Sequence, residues 1–211
     1  MENIRYIMWD WNGTLLDDVD VSVECVNILL EKLNLKTTNR NEYFLHMDMP
    51  IKKYYENLFS SRNSALDYET CTENFHKNYP ALSHKVGLQK NAVQMLEFFE
   101  SLGVKQSIVS AFEKTMLNKQ VNDLGVRRFF EVVSGNDDVY VGSKSSRAID
   151  LVRDVDKKKV LYIGDTKDDV KTAKDVGCDC ILFSGGHYSR EALEQFDLPV
   201  IDDLIELKEY V

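Results

Sequence analysis

The sequence predicts an α/β fold, a doubly wound parallel sheet with a helical segment inserted near its start, and three observations carry that expectation. Beyond residue 104, short β-prone runs alternate with helical stretches, which is the pattern of βαβ units in a parallel sheet. A further β-prone run, residues 4–9, stands alone at the head of the chain and ends on Asp10, followed by Trp11-Asn12-Gly13-Thr14. From about residue 17 to about 85 only helical periodicity is present, so this stretch reads as an insertion between the first strand and its partners.

Val19, Val23, Val26, Leu30 and Leu33 recur at spacings of four, three, four and three, one apolar stripe of an amphipathic helix. Asn39 with Glu42 makes a capping pair for a second helix through Tyr43, Phe44 and Leu45. Pro50 restarts the chain as a helix with Ile51, Tyr54, Tyr55 and Leu58 on one face. A fourth helix carries Tyr68, Cys71, Phe75 and Tyr79 and is expected to stop at Pro80. The later β-prone runs are 105–110, 130–135, 159–164 and 179–184, and helices between them end at Gly103, Gly125 and Gly177, glycine being favoured where a last helical turn passes into left-handed backbone. The expected division is a core of 1–16 with 86–211 and a helical cap domain of 17–85, joined through 15–18 and 84–88.

Composition narrows the function classes. The 211 residues are 44% hydrophobic and 29% charged, with a net charge of −9, ordinary for a globular chain and unsuited to gripping a nucleic-acid backbone or an anionic membrane. No run approaches the roughly 20 apolar residues of a membrane span, and the start lacks the basic-then-apolar layout of a signal peptide. The expectation is a cytoplasmic protein, a monomer or homodimer, with no nucleic-acid or membrane partner. Cys25, Cys71, Cys178 and Cys180 show no paired CxxC spacing and are expected to be reduced and structural.

The strand ends carry the chemistry. Asp10 follows the first strand, Ser110 with Ala111 the second, Lys144 opens a helix after Gly142-Ser143, and Asp165 follows Leu161-Tyr162-Ile163-Gly164, with Asp169 one helical turn on. Each alone has a bland reading as a helix cap, a solvated lysine or a first-turn acid. Their order at successive strand ends argues against coincidence, because ligands in open α/β sheets bind outside the carboxyl ends of strands. A carboxylate that attacks phosphorus splits one hard displacement into two easier ones, and its approach to an anion calls for a hard divalent cation.

In order and spacing, Asp10 with Thr14, Ser110, Lys144 and Gly164-Asp165 with Asp169 resemble the four motifs of the haloacid dehalogenase superfamily, nearest the phosphoglycolate phosphatase and β-phosphoglucomutase branch. The tail Ser184-Gly185-Gly186-His187, with Ser189 and Glu191, is similar to that branch too. The resemblance spans essentially the whole chain and implies a Rossmann-like core, an inserted helical cap and phosphatase activity on a small phosphorylated metabolite. It implies Asp10 as nucleophile of an aspartyl-phosphate, and Mg²⁺ held by Asp10, Asp165, Asp169 and the backbone carbonyl of Asn12. Ser110, Lys144 and the backbone of Trp11, Gly13, Thr14 and Ala111 would hold the phosphate.

One position departs from the pattern. Active phosphatases of the superfamily usually carry an acid-base aspartate two residues after the nucleophile, where this chain has Asn12, and such catalysis is worth about 10² to 10⁴ in rate. Several readings stay open: a slow phosphatase, a phosphonate or acyl-phosphate hydrolase, a substitute acid such as His46 from the cap, or a phosphate-binding regulatory protein without turnover. Lys52 and Lys53 stand where a phosphonatase lysine would, although an amphipathic helix ordinarily leaves lysines in solvent.

Overall fold

The computed structural model describes residues 4–137 and 144–210. In chain order it holds strands β1 (Tyr6–Trp9) and β2 (Leu16–Asp17), then helices α1 (Val19–Lys32), α2 (Arg40–His46), α3 (Ile51–Ser60) and α4 (Tyr68–Leu82). There follow β3 (Gly87–Leu88), α5 (Ala92–Ser101), β4 (Lys105–Glu113), α6 (Lys114–Asp123), β5 (Val132–Asn136) and α7 (Lys144–Leu151). The chain closes with β6 (Val160–Gly164), α8 (Lys167–Val176), β7 (Asp179–Phe183), α9 (Arg190–Leu193) and β8 (Val200–Ile201). It divides into two compact units, Met1–Leu16 with Leu88–Val211, and Asp17–Gly87.

The first unit is built on a six-stranded sheet in the order β5-β4-β1-β6-β7-β8, every pairing parallel. The chain steps outward from β1 through β4 to β5, then returns to β6 on the other side, so the winding reverses beside β1. At such a reversal the loops leaving neighbouring strands part and open a crevice for ligand. β1 and β6 are buried along their whole length, and their polar atoms find partners: Trp9 Nε1 donates to Gln106 Oε1 at 3.0 Å, and Gln106 Nε2 to the Leu96 carbonyl at 2.9 Å. Tyr6 and Ser107 hydroxyls meet at 2.6 Å. Satisfied in this way, polar groups cost the sheet interior little.

Among the differences from the sequence expectation, a longer β4, an added edge strand and a helix that passes its proline stand out. β4 continues past Ser110 to Glu113, with a shift in its register against β5 between Val109 and Glu113, because β5 supplies pairing as far as Asn136. β8, only two residues long, adds an edge strand beside β7. Helix α4 runs through Pro80 to Leu82. A proline forfeits one amide bond and crowds the preceding turn, but here it stands in the last turn, and its carbonyl accepts the Ser83 hydroxyl at 2.7 Å.

The second unit is helical. Val19, Val26, Leu30, Tyr43, Tyr54 and Leu58 meet with Phe59 and Cys71 in one buried cluster, and the Tyr43 and Tyr54 rings lie 5.0 Å apart. Asn39 caps α2 as its sequence indicates, its side chain accepting from the Glu42 amide at 3.0 Å. Leu33, the last of the α1 stripe, falls at the C-cap and is 39% exposed. Lys52 and Lys53 project into solvent opposite Glu56 and Asp48. No helix among the described residues is long and apolar enough to cross a membrane.

Candidate active site

The end of β1 is turned sharply. The Asp10 amide donates to the Ile163 carbonyl at 2.9 Å, which keeps the residue in register with β6, and the Trp11 carbonyl then accepts from the amides of Thr14, Leu15 and Leu16. Gly13 sits at φ +78°, and a Cβ there would strike the Asp165 carboxylate and come within 2.6 Å of His187 Cδ2. Glycine is required twice over, by backbone handedness and by the closeness of a carboxylate.

That carboxylate is held from two sides. Asp165, directly after β6, accepts from Thr14 Oγ1 at 2.7 Å on Oδ1 and from the His187 amide at 2.6 Å on Oδ2. A Cβ on Gly186 would collide with it as well. Asp169, in the first turn of α8, takes on Oδ2 the amides of Asp165 (3.2 Å) and Thr166 (2.9 Å) and the Thr166 hydroxyl (2.7 Å). Its Oδ1 accepts from Lys144 Nζ at 2.9 Å and Tyr162 Oη at 3.2 Å. Five donors fill the roughly four lone-pair positions of a carboxylate.

Lys144, first residue of α7, reaches back so that Nζ lies 2.7 Å from Asp10 Oδ1 and 2.9 Å from Asp169 Oδ1, with its side chain 4% exposed. Asp10, Asp165 and Asp169 each bring a carboxylate oxygen within 4.8 Å of the others, all three buried. Burial pushes the Asp10 carboxyl well above the usual range; Lys144 opposes the rise, and Asp169 and Asp165 add to it. Asp165 is raised by burial to about 6, with His187 the main opposing influence. Burial alone would lower Lys144, but Asp10, Asp169 and Asp168 outweigh it and hold the ammonium above lysine's ordinary value.

These residues fit a hard divalent cation. Three carboxylates against one ammonium leave two negative charges in a buried site, and such charge is tolerated only when it is paired. Asp10 Oδ1 has the Lys144 ammonium 2.7 Å away, which leaves lone-pair capacity on that carboxylate for a cation. The donors are all oxygen, the ligand type such cations take.

The other predicted residues fall into three groups. Ser110 is buried, and its Oγ accepts from the Phe112 amide at 3.0 Å; Ala111 is exposed, its carbonyl bound by Asn136 Nδ2 at 2.7 Å. Trp11 is buried, with Nε1 donating to Gln120 at 2.9 Å, and Asn12 lies in the turn, bridged to Leu16. Thr14 turns its hydroxyl onto Asp165. His46 ends α2 in the helical unit, where burial and then Arg62 lower its imidazole pKa. Gly142 and Ser143 lie outside the described residues. Tyr162 and His187 are the residues the sequence reading left unassigned: the first is one aromatic in an apolar strand, the second was visible only within its Gly-Gly-His string.

The family model for haloacid dehalogenase-like hydrolases matches residues 7–183. A phosphoglycolate phosphatase of Pseudomonas syringae pv. tomato is 23% identical over 96% of this chain and 78% of its own length. Among solved structures, a haloacid dehalogenase-like hydrolase from Streptococcus pneumoniae superposes with a TM-score of 0.81 at 17% identity, covering 100% of this chain and 99% of the other. Protein tyrosine kinase A of Mycobacterium tuberculosis superposes with a TM-score of 0.82 at 18% identity, over 100% and 99%. The chain belongs to the haloacid dehalogenase-like hydrolases and is an enzyme. The kind of enzyme its curated relatives point to is a phosphatase, while the structural likenesses speak for the fold alone.

Proposed function

We propose that this chain is a Mg²⁺-dependent phosphatase that hydrolyses a small phosphomonoester through an aspartyl-phosphate on Asp10, with the helical unit as its cap. The observation that carries the reading is the buried cluster in which Lys144 Nζ stands 2.7 Å from Asp10 Oδ1, with Asp165 and Asp169 beside them. Asp10 and Asp165 are the cation's side-chain ligands, and the Asn12 carbonyl completes the protein's share. Asp169, its lone pairs occupied, keeps Lys144 in place. When bound, the cation offsets the repulsion between a carboxylate and an incoming phosphoryl group.

The chain's own residues then do the following. An Asp10 oxygen forms a bond to phosphorus as the ester oxygen leaves, and water later breaks the new acyl-phosphate bond to return Asp10 and release phosphate. The Lys144 ammonium stabilises negative charge on Asp10 and on the phosphoryl oxygens, and the Ser110 hydroxyl donates to one of them. Asn12 cannot pass a proton, so a substrate whose leaving oxygen needs none suits this site best. That residue favours a second reading, an acyl-phosphate or phosphonate hydrolase. Phosphoglycolate, acted on by the curated relatives, is the first compound to test.

A Mg²⁺-dependent screen of phosphate esters, acyl phosphates and phosphonates, scored by phosphate release, tests the proposal. Release from at least one ester that stops in excess chelator supports it. Release from acyl phosphates or phosphonates and from no ester selects the second reading, and undiminished release in chelator removes the metal.

A further inference from the structure

Three consecutive backbone carbonyls in the second half of β4 are each held by a side chain from a different element. Tyr162 Oη on β6 lies 3.2 Å from the Val109 carbonyl and shares its one proton between that carbonyl and Asp169 Oδ1, Arg147 Nη2 on α7 donates to the Ser110 carbonyl at 2.7 Å, and Asn136 Nδ2 at the end of β5 to the Ala111 carbonyl at 2.7 Å. The three lie where β4 shifts its register against β5, a place where regular ladder bonding is interrupted and side chains can take over backbone groups. Gly135 lets β5 press against this segment, since a Cβ there would sit 2.7 Å from Lys114 Cα and 2.9 Å from the Phe112 carbonyl.

The segment so held presents Ser110. Its Oγ accepts the Phe112 amide at 3.0 Å, its proton meets no acceptor among the described residues, and the residue is 2% exposed. A hydroxyl fixed through its oxygen, with its proton uncommitted, is a donor set for a ligand. Two of the holding side chains are tied to Lys144 and its partner acid: Tyr162 Oη also lies 3.2 Å from Asp169 Oδ1, and Arg147 follows Lys144 by one turn of α7.

We propose that Tyr162, Arg147 and Asn136 are positioning residues that clamp the irregular stretch of β4, fixing Ser110 Oγ as a phosphate donor in register with Lys144. The inference rests on the reading of Ser110 as a phosphoryl contact. Donors aimed in advance at developing charge stabilise it without reorganising, and a site that is loose by about an ångström loses much of that advantage.

The test titrates Mg²⁺-loaded protein with inorganic phosphate by calorimetry and measures turnover of 4-nitrophenyl phosphate. It compares wild type with Tyr162→Phe, Arg147→Ala, Arg147→Lys, Ser110→Ala and the Arg147→Ala/Ser110→Ala pair. Arg147→Ala is expected to weaken phosphate binding about tenfold, the size of a lost hydrogen bond that serves an anion. Arg147→Lys should recover part of this loss, because an ammonium can donate to the same carbonyl. With Ser110→Ala already present, Arg147→Ala should change phosphate affinity by under about twofold, as residues acting through one another are not additive. Tyr162→Phe deletes one oxygen at constant shape and should also cost about tenfold, with the melting temperature reporting that the fold is intact. An equal loss from Arg147→Ala with and without the Ser110 hydroxyl overturns the clamp. If wild type binds phosphate and the single clamp variants match it, the clamp alone fails; if wild type binds none, the phosphate reading of the site fails and takes the clamp with it.

Discussion

Buried polarity is used differently in the two units. In the sheet unit it is charged and gathered at strand ends: Asp10, Lys144, Asp165 and Asp169 are each at most 4% exposed. In the helical unit the interior is aromatic and aliphatic, and its buried polar groups tie helices together, as when the Tyr79 hydroxyl donates to Asp18 at 2.9 Å. Burial, with the neighbouring carboxylates adding to it, raises Asp10 and Asp165 away from their ordinary titration and gives the first unit something to do. In the second unit Tyr79 and Asp18 join two helix ends, while the Tyr54 hydroxyl is buried without a hydrogen-bond partner among the described residues. The lesson is that reaction type is written in the sheet unit, while specificity has no comparable signature.

Breaking the sheet unit's side of this contrast should have the largest effect. Asp10→Asn removes the nucleophile, and turnover should fall by at least about 10⁴, measured as phosphate release at saturating Mg²⁺. Melting should not fall, since the substitution also relieves a crowded carboxylate.

Asn12→Asp comes next and should raise hydrolysis of alkyl phosphates by about 10² to 10⁴, with a smaller gain for esters of good leaving groups. Steady-state rates on both substrate classes check it. A fall in every rate with metal binding intact would make Asn12 part of a different mechanism.

Gly13→Ala puts a methyl group into the Asp165 carboxylate at a backbone angle of φ +78°. It should cost about 1–3 kcal/mol of stability and weaken Mg²⁺ binding, read from thermal melts with and without the ion. Leu58→Ala, wholly within the helical unit's cluster, should cost about 2–5 kcal/mol by leaving a cavity. Mg²⁺ affinity should change by less than about twofold, because no cation ligand belongs to that unit. A large change in affinity would erase the division of labour.

How legible the molecule was in its sequence follows the same division. The carboxyl-end residues could be read because each interrupts an apolar run: Asp10 after Trp9, Asp165 after Gly164, Ser110 after Val109. Asn39 and the glycines at 103, 125 and 177 marked helix ends by local chemistry alone, and the structure places those glycines at φ +70°, +73° and +79°. The extension of β4 could not be read, since it depends on a distant partner: past an interruption after Val109, pairing with β5 resumes only at Glu113 opposite Asn136. Pro80 misled because its cost depends on its place within the turn. Tyr162 was hidden for a physical reason: a tyrosine in a buried strand looks like any other large apolar residue until its hydroxyl's partners are seen.

The central claim is that Asp10 becomes covalently phosphorylated. It is tested most directly by mixing the Mg²⁺-loaded enzyme with a ³²P-labelled acyl phosphate or phosphate ester that it turns over, quenching in acid and counting protein-bound label. The account predicts acid-stable label that is lost in hydroxylamine, that maps to the peptide holding Asp10 and that is absent from Asp10→Asn. Turnover of that same substrate with no label at any quench time, or label on another residue, would contradict it.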